Sequence, residues 1–348
     1  MKFVLEPMLF AFDQDLSKQE LDSYLGELLT LDDWWNQHRD DMFIKDSTSD
    51  VLCNHNYYPT GDALKPLLEK YHIDYIQYGD IERIIVKMLN KTKMIESLYD
   101  EPLWDLKSQD LKRPMDVQPE VKRPKELHNE LFSLFWHIFL AREIGDCDEN
   151  SFVVITRGVS ETVSVEYKYV EYCETKGDLV AIERKGSSAV NCKSSLYDFL
   201  KYKDTPFLLW KTAERKSDLD LGVRASVLQL QGVSVLTSVN EGFNFAIQNS
   251  FFQDFCDGHY QSKDLCIKSA IQAVTDAVTE RNLRKVHAIR TGSKGNNPQL
   301  TIQGYDALRR DITTSIKLAY WKKGREFKIA NMREHDFFEP TWEPVSIP

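Results

Sequence analysis

The run TVSVEYKYVEYC, Thr162 to Cys173, alternates through Val163, Val165, Tyr167 and Tyr169. A period of two places those four side chains on one face of a strand and the intervening polar residues on the other. One buried face opposite one wet face is what antiparallel sheets require. The flanking segments SFVVITRGV and DLVAIERKG read as its neighbours. PFLLWK, ASVLQLQ, VSVLTSV and FNFAIQN read as further strands at short spacing with Gly-containing turns. Ahead of them, residues 127–144 are apolar around nearly the whole circumference of a helix closed by Gly145, so this helix should lie under the sheet. Residues 126–260 are therefore expected to form a helix plus a mostly antiparallel β-domain.

Upstream, LKRPMDVQPEVKRPKE holds Pro114, Pro119 and Pro124 and uses KRP twice. Prolines at that density exclude a continuous helix or a central strand, which predicts a proline-containing linker at residues 106–125. Residues 1–105 read as a mixed α/β domain: a strand over 2–12, then a helix opened by the capping box Ser17 to Glu20, in which serine and glutamate satisfy each other's backbone N–H groups. Two more helices follow with a short strand between them, the second capped by Asp80. Residues 261–348 form the fourth part, a basic α+β subdomain. It starts with an amphipathic helix opened by Ser262 whose stripe is Ile267, Ile271, Val274 and Val278. A strand at 286–290, a Gly/Asn turn through SKGNNP and a helix at 304–314 lead to a hairpin turning at KKGR. The fold class expected is α+β, with a C-terminal helix-plus-hairpin subdomain.

Composition bounds the function. At 348 residues and 42% hydrophobic the chain can fill more than one core. Six dispersed cysteines with no C-x-x-C pair read as reduced thiols of a cytoplasmic protein. The N-terminal MKFVLEPMLFAFDQD is too acidic and too short in its apolar run for a signal peptide. The most apolar window, LFSLFWHIFLA, falls well short of the ~20 residues that cross a bilayer, so no membrane partner is expected. GSKGNN is not a Walker loop, no G-x-G-x-x-G opens a helix, and no Cys/His cluster has zinc spacing, so no cofactor is expected.

Charge then singles out one stretch. Residues 281–334 carry thirteen Lys or Arg against four Asp or Glu, a balance of +9, inside a chain of −10, which leaves −19 elsewhere. A confined basic block focuses potential and suits phosphate-bearing partners, RNA or DNA. His287 and Arg290 precede a turn whose glycines let backbone amides approach a phosphate. On the expected helix Tyr305, Leu308, Ile312 and Ile316 take core spacing, which leaves Arg309 and Arg310 outward. Lys294, Lys322 and Lys323 add charge, and Tyr320 and Trp321 add stacking surfaces. With His287, Arg290 and Arg309 as catalytic groups, these are the residue types that cleave a ribophosphate backbone without metal. The set is similar to that of small bacterial ribonuclease toxins, which also combine a short helix with a basic sheet. The similarity implies a nuclease or toxin-like effector of bacterial defence.

Two other readings stand beside it. Glu-x-Lys occurs at Glu166 to Lys168 and Glu183 to Lys185. VAIERKG resembles the metal-nuclease pattern PD-(D/E)XK, which implies a Mg-dependent nuclease with Glu183 on the metal and Lys185 orienting water. The paired acid would be Asp178, on the same strand, or Asp146 and Asp148, two strands earlier; the plain reading is an ordinary cross-strand ion pair. The other is a non-catalytic subunit that binds a protein partner through the N-terminal domain, with Trp34 and Trp35 as anchors.

Overall fold

The computed structural model describes residues 1–112, 124–145, 147, 151–158, 160–175, 178–231, 244–291, 297–334 and 340–344. Its internal contacts divide the chain into two units, Lys2–Asp198 and Phe199–Pro348 with Met1. Helices and two sheets make the chain α+β.

The first unit contains β1 (Lys2–Leu5), α1 (Lys18–His38), β2 (Met42–Ile44), α2 (Thr48–Asn54), α3 (Gly61–Lys70), α4 (Tyr78–Lys91), β3 (Lys93–Met94), β4 (Trp104–Lys112), α5 (Lys125–Glu143), β5 (Phe152–Ile155), β6 (Thr162–Thr175) and β7 (Asp178–Lys193). Its sheet runs β3-β2-β1-β5-β7-β6-β4. The first five strands of that order are parallel, and β6 and β4 are added antiparallel. The sheet is thus mixed rather than mostly antiparallel, because β1 enters its middle and pairs with β5 in the register Phe3 to Val153. Parallel neighbours need long crossovers, and the helices between β1 and β5 supply them.

Local signals held where their chemistry is self-contained. Glu20 N–H donates to Ser17 Oγ at 3.3 Å and Ser17 N–H to Glu20 Oε2 at 2.8 Å, so the capping box opens α1. The strand expected over 2–12 stops at Leu5, since Pro7 has no N–H for the ladder and begins a short 3-10 turn. No strand separates α3 from α4, and Gln77 caps α4 while Asp80, in its first turn, accepts from the Gln77 N–H. The first part of the expected linker is β4, paired along its length with β6; residues 113–123, with Pro114 and Pro119, lie outside the described residues.

α5 lies on β6 and β7 as its apolarity requires. Tyr167 donates to the Phe135 carbonyl at 3.0 Å, and its ring stacks on Phe139 at 4.4 Å. Gly186 of β7 sits under that same ring, where a Cβ would come within 2.4 Å of Phe139.

α6 (Leu196–Lys201) runs across the boundary, and the second unit holds α7 (Thr205–Lys211), α8 (Lys216–Gln231), β8 (Asn244–Ile247), α9 (Asn249–Asp257), α10 (Asp264–Val278), β9 (Val286–Ala288), β10 (Thr301–Ile302), β11 (Tyr305–Asp311), β12 (Ile316–Lys323) and β13 (Glu326–Glu334). PFLLWK and ASVLQLQ belong to α7 and α8, not to strands. Pro206 fits the first turn of a helix, Trp210 Nε1 reaches the Leu219 carbonyl at 3.0 Å, and Leu219, Val223 and Val227 enter the core at helical spacing. VSVLTSV lies outside the described residues.

The sheet order is β10-β11-β12-β13-β8, with β9 also pairing β11. All its pairs are antiparallel except β13 with β8. The expected hairpin is present, and Gly324 takes the left-handed φ of +58° in its two-residue loop. The helix expected at 304–314 is instead β11. Its Tyr305 and Ala307 pack into one small core with Trp321, while Leu308 and Arg310 face the other, larger one. A strand that packs side chains into a core on each face hides its period of two.

Candidate nucleic-acid interface

The register of β11 decides which basic side chains can meet a ligand. β9 pairs with β11 so that His287 stands directly opposite Arg309, and Val286 opposite Arg310. Directly opposed residues share a face, so His287 and Arg309 are neighbours on one side and Arg310 points to the other. His287 is exposed and Arg309 half-buried. Two positions along, Asp311 is paired with Lys317 at 2.8 Å. The Lys317 ammonium holds the Asp311 carboxyl below the usual range, with smaller contributions from His287 and Arg309. An imidazole, a guanidinium, an ammonium and a carboxylate therefore occupy one polar end of the sheet.

Arg310 is not available to a partner. It is 1% exposed, and its guanidinium donates to Asp276 Oδ2 of α10 at 2.5 Å and to the Arg281 carbonyl at 2.9 Å. Asp276 also accepts from Gln272 at 2.8 Å and Asn282 at 2.7 Å, so the buried pair is closed by hydrogen bonds on every side. Tyr320 and Trp321 are likewise core residues rather than stacking surfaces. Tyr320 packs in the larger core, where burial pushes its hydroxyl up to about 12. Trp321 is fully buried edge-on to Trp342, and its Nε1 donates to the Thr341 carbonyl at 2.9 Å.

The remaining cations divide. Lys322 is ion-paired with Glu280, Arg333 with Asp254 at 2.8 Å, and Lys328 is buried beneath the rings of Tyr305 and Trp342. Lys323 is exposed above the Tyr305 ring, and Lys294 lies outside the described residues. Arg290 is exposed and donates to the Asn297 carbonyl at 2.6 Å, while Arg281, Arg284 and Lys285 are exposed beside β9. The exposed cations on or beside β9 are thus Arg281, Arg284, Lys285 and Arg290, with Arg309 opposite His287, a set smaller than the thirteen-residue block.

The other sequence candidates fare differently. Glu183 and Lys185 are exposed on β7, and the register sets Val170 opposite Glu183 and Lys168 opposite Lys185, so no carboxylate faces Glu183. Asp146 and Asp148 lie outside the described residues, among which no group of three or more His, Cys, Asp or Glu could hold a metal ion. Trp34 and Trp35 are each 5% exposed: Trp34 packs edge-on to Phe3 at 5.4 Å and Trp35 donates to Thr92 at 2.9 Å. They anchor α1 internally and present no surface to a partner.

One cluster escaped the sequence entirely. Beyond the carboxyl end of β2, Lys45 Nζ contacts Glu130 at 2.8 Å and Ser47 Oγ at 2.6 Å, and Ser47 donates to Glu130 at 2.7 Å. Close by, Tyr99 is hydrogen-bonded to His137 Nδ1, and burial drops the imidazole to about 4 and raises Glu96. Residues 45, 47, 96, 99, 130 and 137 have no common spacing, so nothing in the chain marks them as partners. Lys45, Ser47 and Glu130 satisfy one another, which suits a structural network.

No family profile, no curated protein and no solved structure matches this chain. Among the described residues no helix is long and apolar enough to cross a membrane.

Proposed function

We propose that the second unit binds nucleic acid along its phosphate backbone, at the surface formed by Arg281, Arg284, Lys285, His287, Arg290 and Arg309. The observation that carries this reading is the β9–β11 register, which sets an exposed imidazole opposite a guanidinium, with further exposed cations on the same short segment. Arg and Lys at an exposed site supply the sequence-independent attraction to phosphate. His287 beside Arg309 also has the chemistry of metal-free ribophosphate cleavage. The imidazole would take the proton of the attacking 2′-hydroxyl, water would protonate the 5′-oxygen as its bond to phosphorus breaks, and the guanidinium would stabilise charge on the phosphoryl oxygens. An effector role as a nuclease of bacterial defence rests on that cleavage and falls without it.

Fluorescence anisotropy with labelled RNA and DNA at low salt, in EDTA and again with Mg²⁺, tests both levels. Binding is expected, weakened by Arg309→Ala and by Arg284→Ala with Lys285→Ala. Cleavage in EDTA that disappears in His287→Ala while affinity stays would assign the imidazole its role. A native chain that binds neither polymer at low salt removes the proposal.

A further inference from the structure

β7 is sixteen residues long, yet β5 pairs only with Asn191, Cys192 and Lys193 at its end. Over residues 178–190 one edge of β7 is held by β6, and no described strand pairs with the other. Near β5 that edge is closed by Arg142, whose Nη1 donates to the Ala189 carbonyl at 2.9 Å. The residues before it stand in solvent, with Leu179 65% and Val180 44% exposed. A long edge of this kind, with no proline, is a template for another strand.

We infer that this edge pairs with the same edge of a second copy of this chain, antiparallel across a two-fold axis through Arg184. The charge pattern selects both the occupant and the register. A strand meeting its own copy must present a self-complementary sequence. Glu183-Arg184-Lys185 does so in one way: with Arg184 on the axis, each Glu183 lies opposite Lys185 of the other copy. Shifting the axis to Glu183 or to Lys185 would oppose like charges. Arg184 on the axis also faces its own copy, but each is ion-paired with its own Glu171 at 2.8 Å, which offsets that repulsion.

The arrangement also relieves a tension within the chain. The β6–β7 register sets Lys168 directly opposite Lys185 on the same face, and like charges so placed destabilise a sheet. The incoming Glu183 would stand on the free side of Lys185, on that face. On the other face, Arg184, Gly186 and Ser188 alternate with them, and there α5 covers Gly186. Because a two-fold axis perpendicular to the sheet preserves its faces, the α5 helices of both copies lie on the same side of the joined sheet. Pairing over residues 180–188 joins two β4-β6-β7 arms into one continuous sheet and covers Val180 and Ile182.

Charge exchange tests the inference in the full chain. In sedimentation velocity over the micromolar range the native protein is expected to be dimeric. Glu183→Lys or Lys185→Glu alone should weaken the dimer by about tenfold or more, since each places like charges opposite one another twice per dimer. The double variant Glu183→Lys with Lys185→Glu restores opposite charges and should restore the dimer. Hydrogen exchange supplies a second reading: the amides of Ala181, Glu183, Lys185 and Ser187, which point away from β6, are protected in the native chain and lose that protection in the single variants. A monomeric native chain, a dimer indifferent to the single reversals, a double variant that stays monomeric, or a dimer with those amides unprotected each overturns the inference.

Discussion

One buried and one half-buried ionisable group make the sharpest residue-scale claims. Arg310 reads in the sequence as a surface cation but is held inside by Asp276, and breaking such a pair leaves a charge without compensation. Arg310→Met is expected to lower unfolding stability by about 3 to 5 kcal/mol in urea titration, while Arg310→Met combined with Asp276→Asn should cost less than the sum of the two single changes. His137 carries a pH signature. Its folded value of about 4 lies below the 6.5 of a solvated imidazole, with burial as the first cause and Lys45 the second. A depressed value means the unfolded chain binds the proton first. The stability involved is fully present above pH 6.5, lost as pH falls from there toward 4, and amounts to about 3 kcal/mol. Thermal melts across that window should show the loss, and His137→Gln should flatten it.

Among the elements, the contact between β7 and α5 is the one with least room. A Cβ at residue 186 would press on a Phe139 ring already stacked between Tyr167 and Trp136, at 4.4 and 5.4 Å. Gly186→Ala is expected to destabilise by about 1 to 3 kcal/mol, and Phe139→Leu in the same chain to recover part of it. Chemical denaturation of the three variants checks this. The sequence is legible at this scale where a signal is local. Ser17 and Glu20 mark a helix start because two side chains within four residues complete the motif, and Val163 to Tyr169 mark β6 because one face is dry. It misleads where burial is two-sided or supplied from afar. β11 packs side chains into a core on each face, so Tyr305, Leu308 and Ile312 imitate a helical stripe. Pro206 and Trp210 settle α7 through a contact with Leu219 that no window over PFLLWK contains. The sequence names His287 and Arg309 separately, but only strand pairing makes them neighbours, and only Asp276 on α10 reveals that Arg310 turns the other way.

At the scale of the whole molecule the charge ledger changes meaning. The chain carries −10, and the block at 281–334 carries +9 by count. In the fold, carboxylates outside the block take up part of that excess: Asp254 binds Arg333, Asp276 binds Arg310, and Glu280 binds Lys322, while Asp311 within it binds Lys317. Of the nine cations left, five lie on β9, beside it or opposite His287, and they must attract a polyanion against the net negative charge of the molecule. Counterion release puts a number on the difference. Each phosphate neutralised on a single strand contributes about −0.7 to the slope of log affinity against log salt, so five contacts give a slope of about −3.5, whereas all thirteen cations would give about −9. Anisotropy titrations of labelled single-stranded RNA over a range of salt concentrations measure that slope. A value near −3.5 that drops by about 0.7 with Arg309→Ala, and does not move with the exposed Lys323→Ala at the distant hairpin turn, locates binding at the His287 end of the sheet. A slope steeper than about −6 would require cations that the fold has buried or paired, and would place the contact surface elsewhere.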